Sequence, residues 1–166
     1  MTRIAKTEGG VIVEGSAGQI LAAQVIVALP LNVHSHLSLD MPLPAMAARV
    51  IADGHVGRAA KGWAVATLSE PLESTGWPHA VEVYSRRGSR SDAVCTFAVA
   101  DPSHDEALTE SWRALATRHP DVALHPQHLS HDWIADPFSR GSWLSSAPGQ
   151  MRGLHELADM PCLLYT

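Results

Sequence analysis

With 166 residues, 46% of them apolar, the chain is long enough to bury the core of one ordinary soluble domain. The net charge of -5 and the 12 scattered Lys and Arg residues leave no basic surface, which excludes nucleic acid and anionic membranes as partners. Its two cysteines, Cys95 and Cys162, form neither a disulfide framework nor a metal pair, so a reducing cytoplasm is expected.

The first third of the chain predicts a β-hairpin followed by a short helix. Residues 11–14 and 19–28 are β-branched runs on either side of a glycine-rich turn at 15–18, and the second strand should be buried and end at Pro30. Residues 45–52 form a helix after a proline-rich entry and stop at Gly54.

The middle and last thirds predict a sheet, a long helix and a return to irregular structure. Residues 57–68, 80–84 and 93–99 alternate as strands of an antiparallel sheet. Ser103 and Glu106 have the spacing of a capping box, and the helix they begin should end around His119. A short strand at 131–135, an irregular stretch at 136–150 and a helix at 151–157 follow. The pattern predicts an α+β or α/β fold.

Two motifs have ordinary structural interpretations. The glycines between Gly10 and Gly18 lie inside a hairpin, whereas a dinucleotide loop follows a strand, opens a helix and runs G-x-G-x-x-G. Cys95 sits among apolar strand residues, which indicates a small core residue rather than a nucleophile. Because those glycines lie inside a hairpin, we expect no complete phosphate cradle in the chain.

A metal site is the main alternative from residue patterns alone. His34 and His36 end an apolar strand and share one face of it, as the first metal ligands of some barrel hydrolases do. His125, His128 and His131 are further candidates, but no acidic residue is placed with them. Surface histidines are the favoured interpretation, and a metal-dependent hydrolase stays open as the alternative.

Lys61 falls, by period-2 counting, on the same strand face as Ala59, Trp63 and Val65. One interpretation is a side chain that extends to solvent at the margin of the sheet. The other is a desolvated amine beside a cofactor or substrate, able to hold a water molecule.

Two tryptophans, Trp133 and Trp143, lie on either side of an irregular stretch in which Gly141 would let the backbone approach a ligand closely. Core aromatics and a binding site are equally compatible with this pattern.

Four blocks in chain order resemble successive blocks of the flavin-containing monoamine oxidases. They are VIVALPLNV at 25–33, PLP at 42–44, GRAAKGW at 57–63, and DWIADPFSRGSW at 132–143 followed by PGQ at 148–150. The resemblance implies two catalytic residues. Lys61 matches the family lysine that holds a water near flavin N5, and Trp143 matches one of two aromatic positions that flank the substrate amine.

The resemblance also implies the cofactor contacts. Trp133 matches a tryptophan beside the isoalloxazine ring, and Ser142, after Gly141, stands where the animal mitochondrial enzymes have the cysteine that bonds the flavin. FAD would therefore be held non-covalently. On the adenine side of FAD, the cofactor-binding residues should include Val11, Ile12, Ala28 and Pro30.

The implied fold is part of a two-domain FAD-dependent amine oxidase. Residues 1–50 would belong to an incomplete FAD-binding domain, 51–135 to a substrate domain with a mixed sheet and a helix, and 136–166 to the FAD-binding domain again. The family's opening G-x-G-x-x-G segment and its final Ala-Gly motif have no counterpart in this sequence, which indicates an interior piece of the enzyme.

The implied reaction is oxidation of a small-molecule amine to an imine, with hydride transfer to flavin N5 and reoxidation by O2 to give peroxide. Because the pyrophosphate site is missing, we expect the isolated chain to be inactive. The other hypotheses are the metal-dependent hydrolase and a non-catalytic remnant or interaction module.

Overall fold

The computed structural model describes residues 2–40, 42–100 and 103–159. The chain divides into two compact units, residues 1–57 with 137–166 and residues 58–136. The sequence places domain boundaries after residues 50 and 135, and the assignment of these units to cofactor and substrate domains stays a prediction. In chain order the elements are β1 (Arg3–Thr7), β2 (Gly10–Gly15), β3 (Gly18–Ala22), α1 (Leu31–His34), β4 (Ser38–Asp40), α2 (Ala45–Asp53), β5 (Ala59–Thr67), β6 (Glu73–Thr75), β7 (Glu82–Arg86), β8 (Asp92–Val99), α3 (His104–Arg118), β9 (Ala123–Ser130) and α4 (Met151–Ala158).

The first unit contains a four-stranded sheet in the order β3-β2-β1-β4. The β2–β3 hairpin is the predicted one, with its turn between Gly15 and Gly18. Strand β1 pairs antiparallel with β2 and parallel with β4. Ile4 and Val11 are buried and form part of this unit's core.

The predicted buried strand that continues to residue 28 and ends at Pro30 is wrong. Strand β3 ends at Ala22, and residues 24–30 adopt no regular secondary structure. No strand of the described residues pairs with this segment, so its backbone does not enter a sheet ladder. Its apolar residues still alternate in burial: Val25 and Val27 are half-buried, whereas Ile26 is 73% exposed.

Helices α2 and α4 pack closely because a glycine lies at their contact. A Cβ atom added at Gly153 of α4 would collide with the side chain of Val50 and with the backbone carbonyl of Met46 on α2. Helix α2 ends as predicted at Gly54, whose φ of 69° is a conformation that glycine adopts readily.

The second unit contains a five-stranded sheet in the order β6-β7-β8-β5-β9. Every described strand pair in it is antiparallel, so the antiparallel prediction is confirmed, whereas the mixed sheet implied by the resemblance is not found in this unit. The predicted strand at 131–135 is wrong, because β9 ends at Ser130. The Asp132 carboxylate accepts hydrogen bonds from the amides of Ile134 and Ala135, which stabilises a turn.

Helix α3 covers one face of this sheet. It begins as predicted, with the Ser103 hydroxyl accepting a hydrogen bond from the Glu106 amide at 3.2 Å. Gly62 of β5 allows the close approach, since a Cβ there would lie 2.9 Å from the Trp112 ring and 3.0 Å from Leu108. The α+β class is thus confirmed. None of the described helices is long and apolar enough to cross a membrane.

Candidate active site

The face of the five-stranded sheet opposite α3 carries the most distinctive side chains of the second unit. Along β5 the residues Ala60, Gly62, Ala64 and Ala66 are buried, whereas Lys61 and its period-2 neighbours are half-buried. Cross-strand pairing adds residues of β7 and β8 to the same face. We call this surface the lysine face, and its residues are Lys61, Trp63, Tyr84, Cys95 and Phe97.

The Lys61 ammonium lies over two aromatic rings. Its Nζ atom is 5.4 Å from the centroid of the Trp63 ring and 5.2 Å from that of Phe97. Both distances fall within the range of about 6 Å in which a cation is attracted by the face of a ring. The lysine is therefore not a fully solvated side chain at a sheet margin.

Tyr84 supports these two rings from β7. Its ring centroid lies 5.6 Å from that of Trp63 in an edge-to-face arrangement and 6.0 Å from that of Phe97. The pKa of Tyr84 is raised to about 12, mainly by a hydrogen bond with the Cys95 thiol and to a smaller extent by burial. Burial raises the pKa of the Cys95 thiol as well, so this cysteine stays a protonated core residue at neutral pH.

Trp133 lies in the turn that follows β9, in the same unit as Lys61. Its ring packs edge-on against the His131 imidazole, with centroids 4.4 Å apart. The Nε2 atom of His131 lies 2.6 Å from the carboxylate of Asp136. The indole is 43% exposed, which leaves ring surface for a further contact.

Gly141, Ser142 and Trp143 lie in the first unit, in a loop connected to residues 54–57 by backbone hydrogen bonds. The amide of Ser142 donates to the Gly57 carbonyl at 3.1 Å, and the amide of Val56 donates to the Ser145 carbonyl at 2.9 Å. Trp143 is 53% exposed and Ser142 is half-buried.

Gly141 has a role that the sequence did not suggest. A Cβ at this position would lie 2.7 Å from Nδ2 of Asn32 and 2.7 Å from the His55 ring, so the close approach is to the protein itself. Asn32 joins three segments, because its side chain accepts from the His55 amide at 2.6 Å and donates to the carbonyls of His55 and Arg140.

His55 is the titratable residue among these hydrogen-bonded segments. Its Nδ1 accepts a hydrogen bond from the Gly57 amide at 3.0 Å, which places the proton of the neutral ring on Nε2. Burial lowers the pKa of His55 below 6.5. The sequence did not indicate Asn32 or His55 as residues of the site. Asn32 nevertheless lies within the family-like block at 25–33, and His55 stands between Gly54 and Gly57.

The four residues predicted for the adenine side of FAD lie in the first unit and differ in accessibility. Val11 is buried at 4% exposure and Ile12 is half-buried, on successive positions of β2. Ala28 and Pro30 are exposed in the irregular segment before α1.

The arrangement of the histidines does not support a metal site. Among the described residues, no group of three or more His, Cys, Asp or Glu side chains could hold a metal ion. His34 closes helix α1 rather than a strand, so its predicted shared face with His36 is wrong. In the second unit His128 stacks on Trp112 at 5.2 Å.

The residues present fit the ring of a flavin better than its phosphates. Trp143, which is 53% exposed, offers an aromatic surface of the kind that packs on a flat apolar ring. Within residues 2–40, 42–100 and 103–159, the glycine-rich turns connect strands to strands, and no such turn leads from a strand into a helix of the length that binds pyrophosphate.

Solved structures of putrescine oxidase are among those that resemble this chain. The wild-type enzyme bound to putrescine matches with a TM-score of 0.66 and 23% identity, and a mutant redesigned for cofactor binding matches with a TM-score of 0.68 and 23% identity. Each match covers 95% of this chain and 39% of the other chain. At this level of identity the likeness establishes a shared fold.

Two curated relatives come from Pseudomonas. Nicotine dehydrogenase of Pseudomonas putida (strain DSM 28022 / S16) is 25% identical over 95% of this chain and 34% of its own length. Pseudooxynicotine dehydrogenase of Pseudomonas sp is 27% identical over 84% of this chain and 30% of its own length. The chain thus spans about a third of the curated relatives it matches.

The family match covers nearly the whole chain. The model of the flavin containing amine oxidoreductases matches residues 1–161. The family is defined by its flavin, and FAD is accordingly the cofactor of the complete enzyme. Both sheets, the lysine face and the loop with Trp143 lie within the matched range, and this chain belongs to the flavin containing amine oxidoreductase family.

Proposed function

We propose that the complete enzyme oxidises a small-molecule amine to an imine, and that this chain supplies its lysine face and the loop that carries Trp143. The observation that carries the proposal is the position of the Lys61 ammonium on a half-buried aromatic face. This face lies within the residues that match the amine oxidase family. Bound FAD would supply the redox chemistry by accepting a hydride equivalent from the carbon next to the amine nitrogen.

The chain's own residues would act by placement. The Lys61 ammonium can donate up to three hydrogen bonds and would hold a water molecule at a fixed position. Trp143 would orient the free amine through its exposed indole face. Trp63 and Phe97, on either side of Lys61, would exclude bulk solvent from that wall of the substrate cavity.

The relatives support the substrate class. They are named for nicotine, pseudooxynicotine and putrescine, which favours an amine as the substrate of this enzyme. We infer O2 as the electron acceptor, with peroxide as the product. Because two of the relatives are named dehydrogenases, an assay should measure both peroxide formation and the reduction of an artificial acceptor.

We further propose that this chain alone retains no FAD and is inactive. The described residues offer aromatic surface for the flavin ring but no pyrophosphate site, and phosphate contacts at a helix N-terminus are the usual anchor of a dinucleotide. Because the flavin would form no covalent bond at Ser142, it would be held by contacts to its ring alone, and these would bind it weakly. The free thiol of Cys95 suits a reducing compartment, and we place the enzyme in the cytoplasm.

The experiment compares this chain with the product of the complete reading frame that encodes it. Both are purified in the presence of FAD, freed of unbound flavin by gel filtration, and assayed for visible flavin absorbance and for turnover of a panel of amines. We expect the chain to be colourless and inactive and the longer product to be yellow and active. A yellow, active preparation of the chain alone would contradict its proposed inactivity. A longer product without flavin would favour the non-catalytic interaction module instead.

A further inference from the structure

We propose that Trp63 and Phe97 form an aromatic clamp that fixes the Lys61 ammonium and leaves its hydrogen-bond donors available to water. The clamp itself depends only on the folded sheet, whereas its role in catalysis rests on the proposed function. Trp63 and Phe97 are therefore positioning residues, which act through Lys61.

The geometry of the sheet places both rings beside the ammonium. Trp63 follows Lys61 by two residues on β5 and so shares its face, and Phe97 of β8 lies directly across from Lys61 in the strand register. Nζ is 5.4 Å from one centroid and 5.2 Å from the other. Since both rings project from paired strands, the position of the ammonium follows from the sheet rather than from a mobile loop.

The clamp takes the place of a carboxylate. In the described part of the chain no carboxylate lies within ion-pair distance of Lys61, and its ammonium donates to no protein acceptor. Glu82 is the nearest acid in the strand register, opposite Phe97, and it is exposed. A carboxylate partner would occupy the lysine's donors, whereas two rings attract the charge and leave the N–H groups free.

Tyr84 keeps the clamp in place. Its ring contacts both Trp63 and Phe97, and its hydroxyl hydrogen-bonds to the buried thiol of Cys95. The two clamp rings are thus packed against a third ring that is itself held by a core residue. This support explains why an extended, otherwise flexible lysine side chain would keep one position.

The test uses the fact that the chain contains just two lysines, Lys6 and Lys61. Selective ¹³C labelling of lysine gives two Cε–Hε correlations, which Lys6→Arg assigns. Lys6 is exposed on β1 and serves as the internal reference. A clamped Lys61 should show Hε signals displaced upfield by the ring currents, relative to those of Lys6. Signals that coincide with those of Lys6 would overturn the proposal.

Four variants separate the clamp from a general effect on folding. Trp63→Leu and Phe97→Leu should each move the Lys61 signals toward the Lys6 position, and Trp63→Phe should retain most of the displacement because a ring remains. Val65→Ala, on the same strand and face, should leave it unchanged. Amide spectra verify that each variant is folded, and if one Leu variant unfolds, the folded one decides. Displacements that persist in both folded Leu variants would refute the clamp. Because no flavin is present, this outcome is independent of whether the complete enzyme oxidises amines.

Discussion

Gly141 allows the loop that carries Ser142 and Trp143 to pack against Asn32 and His55, and Gly141→Ala should disrupt that packing. The added Cβ would lie 2.7 Å from Nδ2 of Asn32 and 2.7 Å from the His55 ring. Contacts under 3.0 Å require something to move. Asn32 cannot move freely, because its amide group makes three hydrogen bonds, to the amide and carbonyl of His55 and the carbonyl of Arg140.

The size of the effect follows from these contacts. Overpacking of a close contact costs about 1–3 kcal/mol, and each hydrogen bond lost from Asn32 would cost about 1 kcal/mol. We therefore expect a loss of about 1–3 kcal/mol in the free energy of opening this loop. Since about 1.4 kcal/mol corresponds to a factor of ten, local opening should become about 5 to 150 times more frequent.

Hydrogen exchange measures this opening at single amides. The amides of Ser142 and Val56 donate to carbonyls across the connection, so they report on it directly. Gly9→Ala is the matched control, because a Cβ there would meet nothing within 4 Å. We expect faster exchange at both amides in Gly141→Ala and no change in the control. Unchanged protection in Gly141→Ala would refute the account of how the loop is held.

Three further predictions concern polar side chains. The hydroxyls of Thr96 and Ser111 lie 2.5 Å apart and buried, so Thr96→Val or Ser111→Ala alone should cost about 1–3 kcal/mol in chemical denaturation. The double variant should cost less than the sum, and additive losses would argue against the pair. The absorbance difference between wild type and Tyr84→Phe should titrate with a pKa of about 12, and the stabilisation linked to this phenol, complete below pH 10.0, should be lost as the pH rises toward 12. A titration near 10 would contradict the hydrogen bond to Cys95. Since burial lowers the pKa of His55, the unfolded chain takes up a proton near pH 6.5 that the folded chain does not. The resulting stability is present above pH 6.5 and lost below it, and thermal melts of His55→Gln should show a smaller loss on acidification.

The sequence predicts those elements whose pattern is local. The capping box at Ser103 and the glycine stop at Gly54 gave the helices α3 and α2, because both depend on residues within one turn of the helix end. Alternation placed Lys61 on the face opposite the buried alanines of β5. The sequence predicts a strand at 24–30 that the structure does not contain. An apolar, β-branched run forms a strand only where another strand pairs with it.

Site features that arise from distant segments could not be predicted from the sequence. Asn32 hydrogen-bonds to His55, 23 residues away, and to the Arg140 carbonyl, 108 residues away, and no local pattern encodes either contact. The ring of Phe97 reaches Lys61 only through the register of β8 on β5. The family resemblance named Lys61 and Trp143, but it did not indicate what surrounds them.

We propose that Lys61 serves the chemistry of an amine oxidase, and the two lysines of the chain form a matched pair with which to test this role. Lys61→Met and Lys6→Met are compared in the enzyme made from the complete reading frame, by kcat for amine oxidation at equal flavin content. The account predicts a loss on the order of 100-fold for Lys61→Met, as for a displaced catalytic group, and none for Lys6→Met. Equal activity of the two variants would contradict it.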